Sequence, residues 1–376
     1  MDAEVAVVGA GVVGCAAALA LARRGVSVAL LEAEPEPALG ASGTNSGILH
    51  TGFDSPPGGL ETEMILRAAE LRDRVLERLE VPVLRCGAEL RARDSSDREA
   101  VRALAVNAGA NGVEVVRASG GALSVPGEAV TDPVAYTLAL AAVAQRHGAE
   151  LRTGFRVGEI TPHADEVGLR SEGGEALDCR IAVNCAGLGA GGVARMAGDS
   201  SFDVYPRKGE FLVFEPPPGA KLERILLPVP SADTKGVLVF PTVDGMVVAG
   251  PTAVDQEDAG DWSVRPSARE EIIPQAAAMH PPLDGCEPAF AYAGLRPAGR
   301  GSANYVIRRS RARPSLVNAA AIRSTGMSAA LGVAERICEI IAGMGIVLEP
   351  ERELLGGAPP RSAVPWWRRA AEHRAS

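Results

Sequence analysis

The chain has 376 residues, 47% of them hydrophobic, and its 47 acidic and 38 basic residues give a formal net charge of −9. This length supports one large two-part fold or two domains with cores of their own. The acidic balance argues against nucleic acid as a partner, because nucleic-acid-binding proteins carry clustered positive charge. The six cysteines have neither zinc nor CxxC spacing, so we expect reduced thiols, a cytoplasmic location and no metal site.

The amino terminus enters an apolar strand without a basic leader, so we expect no signal peptide. No uninterrupted apolar run reaches the roughly 18 residues that a membrane helix needs.

Residues 4–34 carry the pattern of a dinucleotide-binding unit. The continuous apolar run 5–8 predicts a buried parallel strand, and a GxGxxG turn and an alanine-rich helix follow it. Gly9 allows the tight turn, Gly11 lets the backbone approach a pyrophosphate, and Gly14 lets the helix pack closely on the strand. Because this motif lies between a predicted strand and a predicted helix, it indicates a bound dinucleotide.

The residues around this turn extend the cofactor site. Val12 and Val13 lie in the first turn of the helix, whose amino terminus favours the charge of a phosphate. A second predicted strand ends at Glu32, at the usual distance for an acid that holds the ribose hydroxyls. We therefore assign Glu32 and Ala33 to the cofactor.

A long polar loop, residues 35–58, follows where a nicotinamide enzyme would continue with alternating strands and helices. Long loops in compact proteins are usually functional. This one contains small polar residues and one histidine: Ser42, Gly43, Thr44, Asn45, Ser46, Gly47, His50 and Gly52. The pattern resembles the second flavin-contacting loop of L-2-hydroxyglutarate and glycerol-3-phosphate dehydrogenases, which are FAD enzymes of the D-amino acid oxidase superfamily.

The resemblance continues in the same order through nearly the whole chain. "RIAVNCAGLGA" at 180–190 is similar to the strand and glycine turn beside the dinucleotide. "YPRKGEFLVF" at 205–214 and "GVLVFPTVDGMVVAGPT" at 236–252 resemble the large sheet over the flavin. "AGLRPAG" at 293–299 is similar to the substrate-arginine motif, and "AAIRSTGMSAALGVAERI" at 320–337 resembles the final loop and helix.

The resemblance implies an α/β fold with a Rossmann-type FAD-binding domain (GR2-like) and a substrate domain built on a mixed, largely antiparallel β-sheet. We expect a discontinuous FAD domain at 1–80, 133–200 and 310–348, a substrate domain at 81–132 and 201–309, and a C-terminal extension at 349–376. The cofactor implied is FAD. Besides the turn and Glu32, the resemblance assigns these residues to it: Ser42, Thr44, Asn45, Ser46, Gly47, Val157, Ala186, Gly187, Ser324, Thr325, Gly326, Met327 and Ser328.

Arg296 is the strongest substrate candidate, since the family places the arginine of this motif against a carboxylate or phosphate. A guanidinium can hold either group with two parallel hydrogen bonds. Lys208 begins the strand over the flavin, and its ammonium could reach a second anionic group. Tyr292 offers a hydroxyl, and Arg323 opens the last loop. These three are further substrate candidates.

His50 has three interpretations. It could act as general base, because imidazole titrates near neutrality. It could carry a covalent bond to the flavin, as a histidine near this loop does in some relatives, or it could only form a hydrogen bond with the flavin's edge.

The leading hypothesis is FAD-dependent oxidation of a small anionic 2-hydroxy acid or polyol phosphate to the keto product. The alternatives are an amine oxidase of the glycine or sarcosine type and a flavoprotein subunit of a larger complex. Phe53 and Asp54 replace an Arg-Tyr pair of the membrane-bound glycerol-3-phosphate dehydrogenases, which argues against glycerol phosphate. The "GVLVF" strand also lacks the histidine of the hydroxyglutarate enzymes.

Many bacterial relatives continue into a cysteine-rich iron–sulfur domain that is not part of this sequence. We therefore expect oxygen, a quinone or a separate protein as electron acceptor. In the tail, Trp366 and Trp367 stand beside Arg368 and Arg369, a combination also found at membrane surfaces. A disordered extension is the favoured interpretation of this tail.

Overall fold

The computed structural model describes residues 1–118, 121–162, 166–230, 236–301, 305–358, 362 and 364–375. Its helices are α1 (Val12–Ala22), α2 (Leu60–Arg78), α3 (Ser95–Ala110), α4 (Pro133–Arg146), α5 (Ala190–Met196), α6 (Ser267–Met279), α7 (Gly326–Ala342) and α8 (Trp366–Ala375).

The strands, in chain order, are β1 (Ala3–Val8), β2 (Val28–Leu31), β3 (Ile48–Leu49), β4 (Val83–Leu84), β5 (Ala88–Arg91), β6 (Val116–Arg117), β7 (Ala122–Val125), β8 (Ala129–Thr131), β9 (Glu150–Arg152), β10 (Val157–Pro162), β11 (Val167–Ser171), β12 (Ala176–Asn184), β13 (Val204–Phe214), β14 (Ile225–Leu227), β15 (Leu238–Pro241), β16 (Val247–Gly250), β17 (Val254–Asp255), β18 (Phe290–Gly299), β19 (Val306–Arg309) and β20 (Leu316–Ala320). They form three sheets.

The first sheet has the order β10-β11-β12-β1-β2-β9, with β20 beside β12 and β19 beside β20. Its centre is parallel, and both faces of that centre are buried. In β1, Val5 and Val7 pack into the core cluster that α1, α4 and α7 share, while Ala6 and Val8 pack into the cluster on the other face. This arrangement explains the unbroken apolar run of β1 and confirms the Rossmann-type prediction.

The second sheet has the order β17-β13-β16-β15-β14-β5-β7-β6, with β18 beside β13. Among the described strands of this second sheet, only β14 and β5 pair in parallel. The sheet is therefore mixed and largely antiparallel, as predicted. The long pair β13–β18 runs from Val204 opposite Gly299 to Val213 opposite Phe290. This register puts Arg296 directly across from Arg207.

The small third sheet, β3-β8-β4, joins the polar loop to the rest of the chain. Ile48 and Leu49 of the loop pair with Val130 and Ala129 of β8. The residue after this short strand is His50, so its backbone direction is set by a sheet.

The C-terminal residues are packed against the protein, so the prediction of a disordered extension is wrong for the described parts of 349–376. Trp366 is 2% exposed and meets the ring of Tyr292 edge-on, with centroids 5.8 Å apart. Arg369 donates hydrogen bonds to the carbonyl oxygens of Pro37 and Ala38. The aromatic pair is therefore part of a core, and its basic neighbour Arg369 holds the first residues of the polar loop. Within the described ranges, no helix has the length and apolar character needed to cross a membrane.

We predict that Trp366→Ala lowers the free energy of unfolding by about 3–5 kcal/mol, because it leaves a cavity beside Tyr292. The variant should also retain FAD less well, since α8 holds the carbonyls of Pro37 and Ala38 in the polar loop. Thermal unfolding and the flavin content after gel filtration measure the two effects. Glu372→Gln, which changes only an exposed pair with Arg368 in the same helix, is the control. Equal stability of the two variants would contradict the packing described for α8.

Candidate active site

The glycine turn between β1 and α1 leaves no room for side chains at two positions. A Cβ atom at Gly14 would lie 1.9 Å from the carbonyl oxygen of Gly9, and one at Gly9, where φ is +103°, would lie 2.5 Å from the carbonyl oxygen of Cys185. At Gly11 the nearest described atom is the Oγ of Ser42, 3.1 Å away. The turn is thus packed on the β12 side and more open at Gly11, where a pyrophosphate must approach the backbone.

Two side chains meet this turn from outside. Glu32 accepts hydrogen bonds from the backbone N–H of Ala10 (2.7 Å) and of Glu34 (2.9 Å), and burial raises the pKa of its carboxyl. The Oγ of Ser42 accepts from Val12 N–H at 2.9 Å, at the amino terminus of α1. The carboxylate, the helix terminus and the small residues form the donor and acceptor set that an FAD ribose and pyrophosphate require, so the residues fit FAD.

The other predicted FAD residues lie on neighbouring segments. The N–H of Phe155 donates to the carbonyl of Glu32 at 2.8 Å, which keeps the chain leading into Val157 near the end of β2. Ala186 and Gly187 follow β12 after Cys185, beside the glycine turn. Gly326, Met327 and Ser328 form the first turn of α7.

A cavity of about 530 Å³ lies between the polar loop, β13, β18 and the loop before α7. Eight of the predicted site residues line it: Thr44, Asn45, Ser46, His50, Arg296, Arg323, Ser324 and Thr325. Sequence reasoning missed other lining residues on β13 and β15, including Tyr205, Arg207, Phe211 and Phe240. The structure therefore brings a histidine and an arginine to one space with the residues assigned to the flavin.

Arg296 lies across β13, over Gly209, where a Cβ atom would be 2.8 Å from its Nη2. Its Nε donates to the carbonyl of Arg207 at 3.1 Å, and its Nη2 donates to those of Lys208 (2.8 Å) and Thr252 (2.6 Å). Burial lowers the pKa of Arg296 to about 10, so the group stays charged at neutral pH. These bonds use Nε and both hydrogens of Nη2, which leaves Nη1 for an anion. The expected grip with two parallel bonds from two nitrogens is wrong for this geometry.

His50 is held at three points. Its backbone N–H donates to the Oγ of Ser328 (2.8 Å), and its backbone carbonyl accepts from the guanidinium of Arg72 (3.0 Å). Its ring Nδ1 lies 3.0 Å from a carboxylate oxygen of Glu128, and the side chain is 24% exposed. The ring therefore has a fixed orientation in the cavity wall.

Glu128, which contacts the ring of His50, is a further residue that sequence reasoning missed. It is fully buried, and its carboxylate also accepts from the N–H (2.6 Å) and the hydroxyl (2.8 Å) of Thr51. The available signal was weak: an acid inside the otherwise apolar and small stretch "SVPGEAV". A buried carboxylate without partners would be costly, so such an acid indicates partners elsewhere in the fold.

Two predicted substrate residues do not reach the cavity. Along β13, Arg207 and Gly209 line it, so the alternation of a strand turns Lys208 to the other face. Lys208 is 2% exposed, and its ammonium lies 2.7 Å from Asp261. Tyr292 is 1% exposed and stacks on Phe211 with centroids 4.9 Å apart. The structure therefore places neither Lys208 nor Tyr292 at the cavity, where a substrate residue was expected.

Arg323 does line the cavity, but its guanidinium is paired with Glu61. Glu61 also accepts from the hydroxyl of Thr325 at 2.6 Å, and that hydroxyl lies 2.5 Å from the hydroxyl of Tyr305. This network fixes the loop before α7. It also offsets much of the charge that Arg323 could offer a substrate.

Residues 4–340 match the family described as FAD dependent oxidoreductase (DAO). The chain belongs to this family. It is an FAD-dependent oxidoreductase, which confirms the predicted cofactor and enzyme class.

Individual proteins support the same placement. The chain is 27% identical to glycerol 3-phosphate dehydrogenase from Caloramator mitchellensis over 379 residues, which covers 96% of this chain and 78% of that protein. It is 26% identical to L-2-hydroxyglutarate dehydrogenase from Escherichia coli O17:K52:H18 over 266 residues, 66% of this chain and 63% of that protein. The structure of L-alpha-glycerophosphate oxidase from Mycoplasma pneumoniae with FAD bound superposes with a TM-score of 0.88 at 23% identity, covering 96% of this chain and 99% of the other. The resemblance seen in the motifs is confirmed, and so is the fold.

We predict that Tyr292→Phe leaves the substrate KM unchanged. The Tyr292 hydroxyl is buried and has no hydrogen-bond partner in the described structure, so its removal should keep stability equal or raise it by about 1 kcal/mol. Steady-state kinetics and thermal unfolding test both statements. A large rise in KM would instead indicate that this hydroxyl contacts the substrate.

We predict that the pair Lys208–Asp261 contributes to stability in a pH-dependent way. The hydrogen bond from Lys208, with further bonds from Ser263, lowers the pKa of Asp261 to about 2. A carboxyl with a lowered folded-state pKa adds stability above its unfolded value of about 3.9, and that stability is lost as the pH falls towards 2. Since Asp261 is 42% exposed, solvent screening limits the contribution to the order of 1 kcal/mol.

Urea unfolding between pH 6 and pH 3 measures this contribution. Asp261→Asn should be less stable than the parent protein at pH 6, and the difference should shrink at pH 3. If the difference in unfolding free energy between the two proteins stayed the same from pH 6 to pH 3, the stabilising role of the Lys208–Asp261 pair would be contradicted.

Proposed function

We propose that the protein oxidises a small anionic substrate, a 2-hydroxy acid or a polyol phosphate, to the keto product. The observation that carries this proposal is the meeting of Arg296 and His50 in one cavity with the residues assigned to the flavin. The guanidinium of Arg296 can bind an anion, and the imidazole of His50 can accept a proton.

The names of the relatives support the same class of substrate. Glycerol 3-phosphate and L-2-hydroxyglutarate both combine an anionic group with a secondary alcohol. A site for such a compound needs a cation and a base, and the presence of Arg296 and His50 in the lining of one cavity supports this.

In the reaction, Arg296 holds the anionic group through Nη1, while its three backbone bonds keep the guanidinium in place. His50 accepts the proton of the substrate hydroxyl. When bound, FAD supplies the acceptor for the hydride that leaves the carbon bearing this hydroxyl. Apolar side chains such as Phe211, Phe240 and Leu238 line the cavity and keep water from the reacting carbon.

We propose oxygen, a quinone or a separate protein as the electron acceptor, and the cytoplasm as the compartment. All six cysteines are free thiols, which supports a reducing compartment.

Anaerobic bleaching of the flavin absorbance tests the proposal. The purified protein is mixed with 2-hydroxy acids, glycerol phosphates, and simple and N-methyl amino acids. We expect a hydroxy compound with an anionic group to bleach the flavin. Bleaching by amines alone would contradict the proposal and favour an amine oxidase.

We predict that Arg296→Lys raises KM for the anionic substrate about 10- to 100-fold, because an ammonium cannot satisfy three backbone carbonyls and an anion together. Arg269→Lys, an exposed change on α6, is the matched control and should leave KM unchanged. Equal KM values for the parent protein and Arg296→Lys would remove Arg296 from the substrate site.

A further inference from the structure

We infer that Glu128 is a positioning residue that sets which nitrogen of His50 accepts the substrate proton. The inference rests on the proposed function, in which His50 is the base. The role of Glu128 itself concerns which nitrogen of the His50 ring carries the hydrogen, and that can be measured without a substrate.

The carboxylate of Glu128 is divided between two tasks. Oε1 accepts both the N–H and the hydroxyl of Thr51, at 2.6 and 2.8 Å. Oε2 lies 3.0 Å from Nδ1 of His50. The first oxygen anchors the carboxylate, and the second is directed at the imidazole.

The position of Glu128 is fixed by its backbone as well. Its carbonyl accepts from the N–H of Gly87 at 2.9 Å, and its N–H donates to the carbonyl of Val125 at 3.3 Å. A Cβ atom at Gly127 would lie 2.9 Å from the Cγ2 of Thr51. The close approach of these two segments therefore leaves the carboxylate little freedom to turn away from His50.

Three titratable side chains lie around Glu128 and its contacts. Arg72 reaches this region from α2, donates to the carbonyl of His50 and interacts electrostatically with Glu128. Tyr136 from α4 and Cys86 also lie close enough to interact with Arg72 and Glu128 respectively, and burial raises the pKa of each. Tyr136 and Cys86 are neutral at pH 7. Of these three neighbours, Arg72 is therefore the charged one.

An ionised carboxylate can only accept hydrogen bonds, so Nδ1 of His50 must carry the hydrogen of this contact. In the neutral ring the lone pair is then on Nε2. The carboxylate also stabilises the ring after it has taken a proton, because an opposite charge favours the charged form. Glu128 thus prepares Nε2 as the base and stabilises the product of proton transfer.

Glu128→Gln separates this role from simple packing. The amide oxygen can keep the two bonds from Thr51, and the amide nitrogen then faces Nδ1 as a donor. Nδ1 becomes an acceptor, and Nε2 carries the hydrogen. We expect the anaerobic rate of flavin reduction to fall about 10²- to 10⁴-fold, with little change in the concentration of substrate that gives half the maximal rate. Asp199→Asn, which changes another buried carboxylate outside the cavity, controls for the loss of a buried charge.

Nitrogen NMR of the ¹⁵N-histidine-labelled protein reads the ring directly. The chain has five histidines, and His50→Asn identifies the His50 signals by difference. In the FAD-loaded protein we expect the Nδ1–H form, and in Glu128→Gln the Nε2–H form. The Asp199→Asn protein should keep the Nδ1–H form.

The outcomes separate this inference from the proposed function. The same tautomer in the parent protein and Glu128→Gln overturns the inference, and so does a switched tautomer with an unchanged reduction rate. A switched tautomer with slow reduction supports it. If no panel compound bleaches the flavin, the proposed function fails, while the NMR result still decides whether Glu128 sets the ring.

Discussion

The tight contact between the glycine turn and the end of β12 is the constraint on which the cofactor site depends. A Cβ atom at Gly9 would lie 2.5 Å from the carbonyl oxygen of Cys185, the residue after β12, and one at Gly14 would overlap the carbonyl of Gly9. Strand, turn and helix can therefore pack this closely only with glycine at both positions. The same contact directs the amino terminus of α1 and the open backbone at Gly11 to one place. Glu32 and Ser42 reach that place from β2 and the polar loop.

The polar loop carries this order from the cofactor to the substrate. It contacts the glycine turn through Ser42, pairs with β8 through β3, and contains His50, whose backbone is bonded to α7 and α2. The second sheet contributes Arg296, which is locked to the backbone of β13. An arginine on β18 and a histidine that directly follows β3 are thereby fixed on the wall of one cavity, which is what positioning a small substrate requires.

Much of this could be predicted from sequence, because local patterns encode it. The GxGxxG turn, the acid after β2 and the loop of His50 are each continuous in the chain. Sequence could not show that Lys208 and Tyr292 lie away from the cavity, because the direction of a side chain depends on strand register and on the neighbouring core, which no short motif records. Glu128 was missed since its partners lie 77 and 78 residues away. The tail looked disordered because its two tryptophans find their core only in the folded protein.

A crystal structure of the FAD-loaded protein with a 2-keto acid product tests the central claim most directly. The account predicts that the carboxylate of the product lies about 3 Å from Nη1 of Arg296, with the keto oxygen facing the ring of His50. A carboxylate held by Arg323, or a keto oxygen turned away from His50, would contradict it.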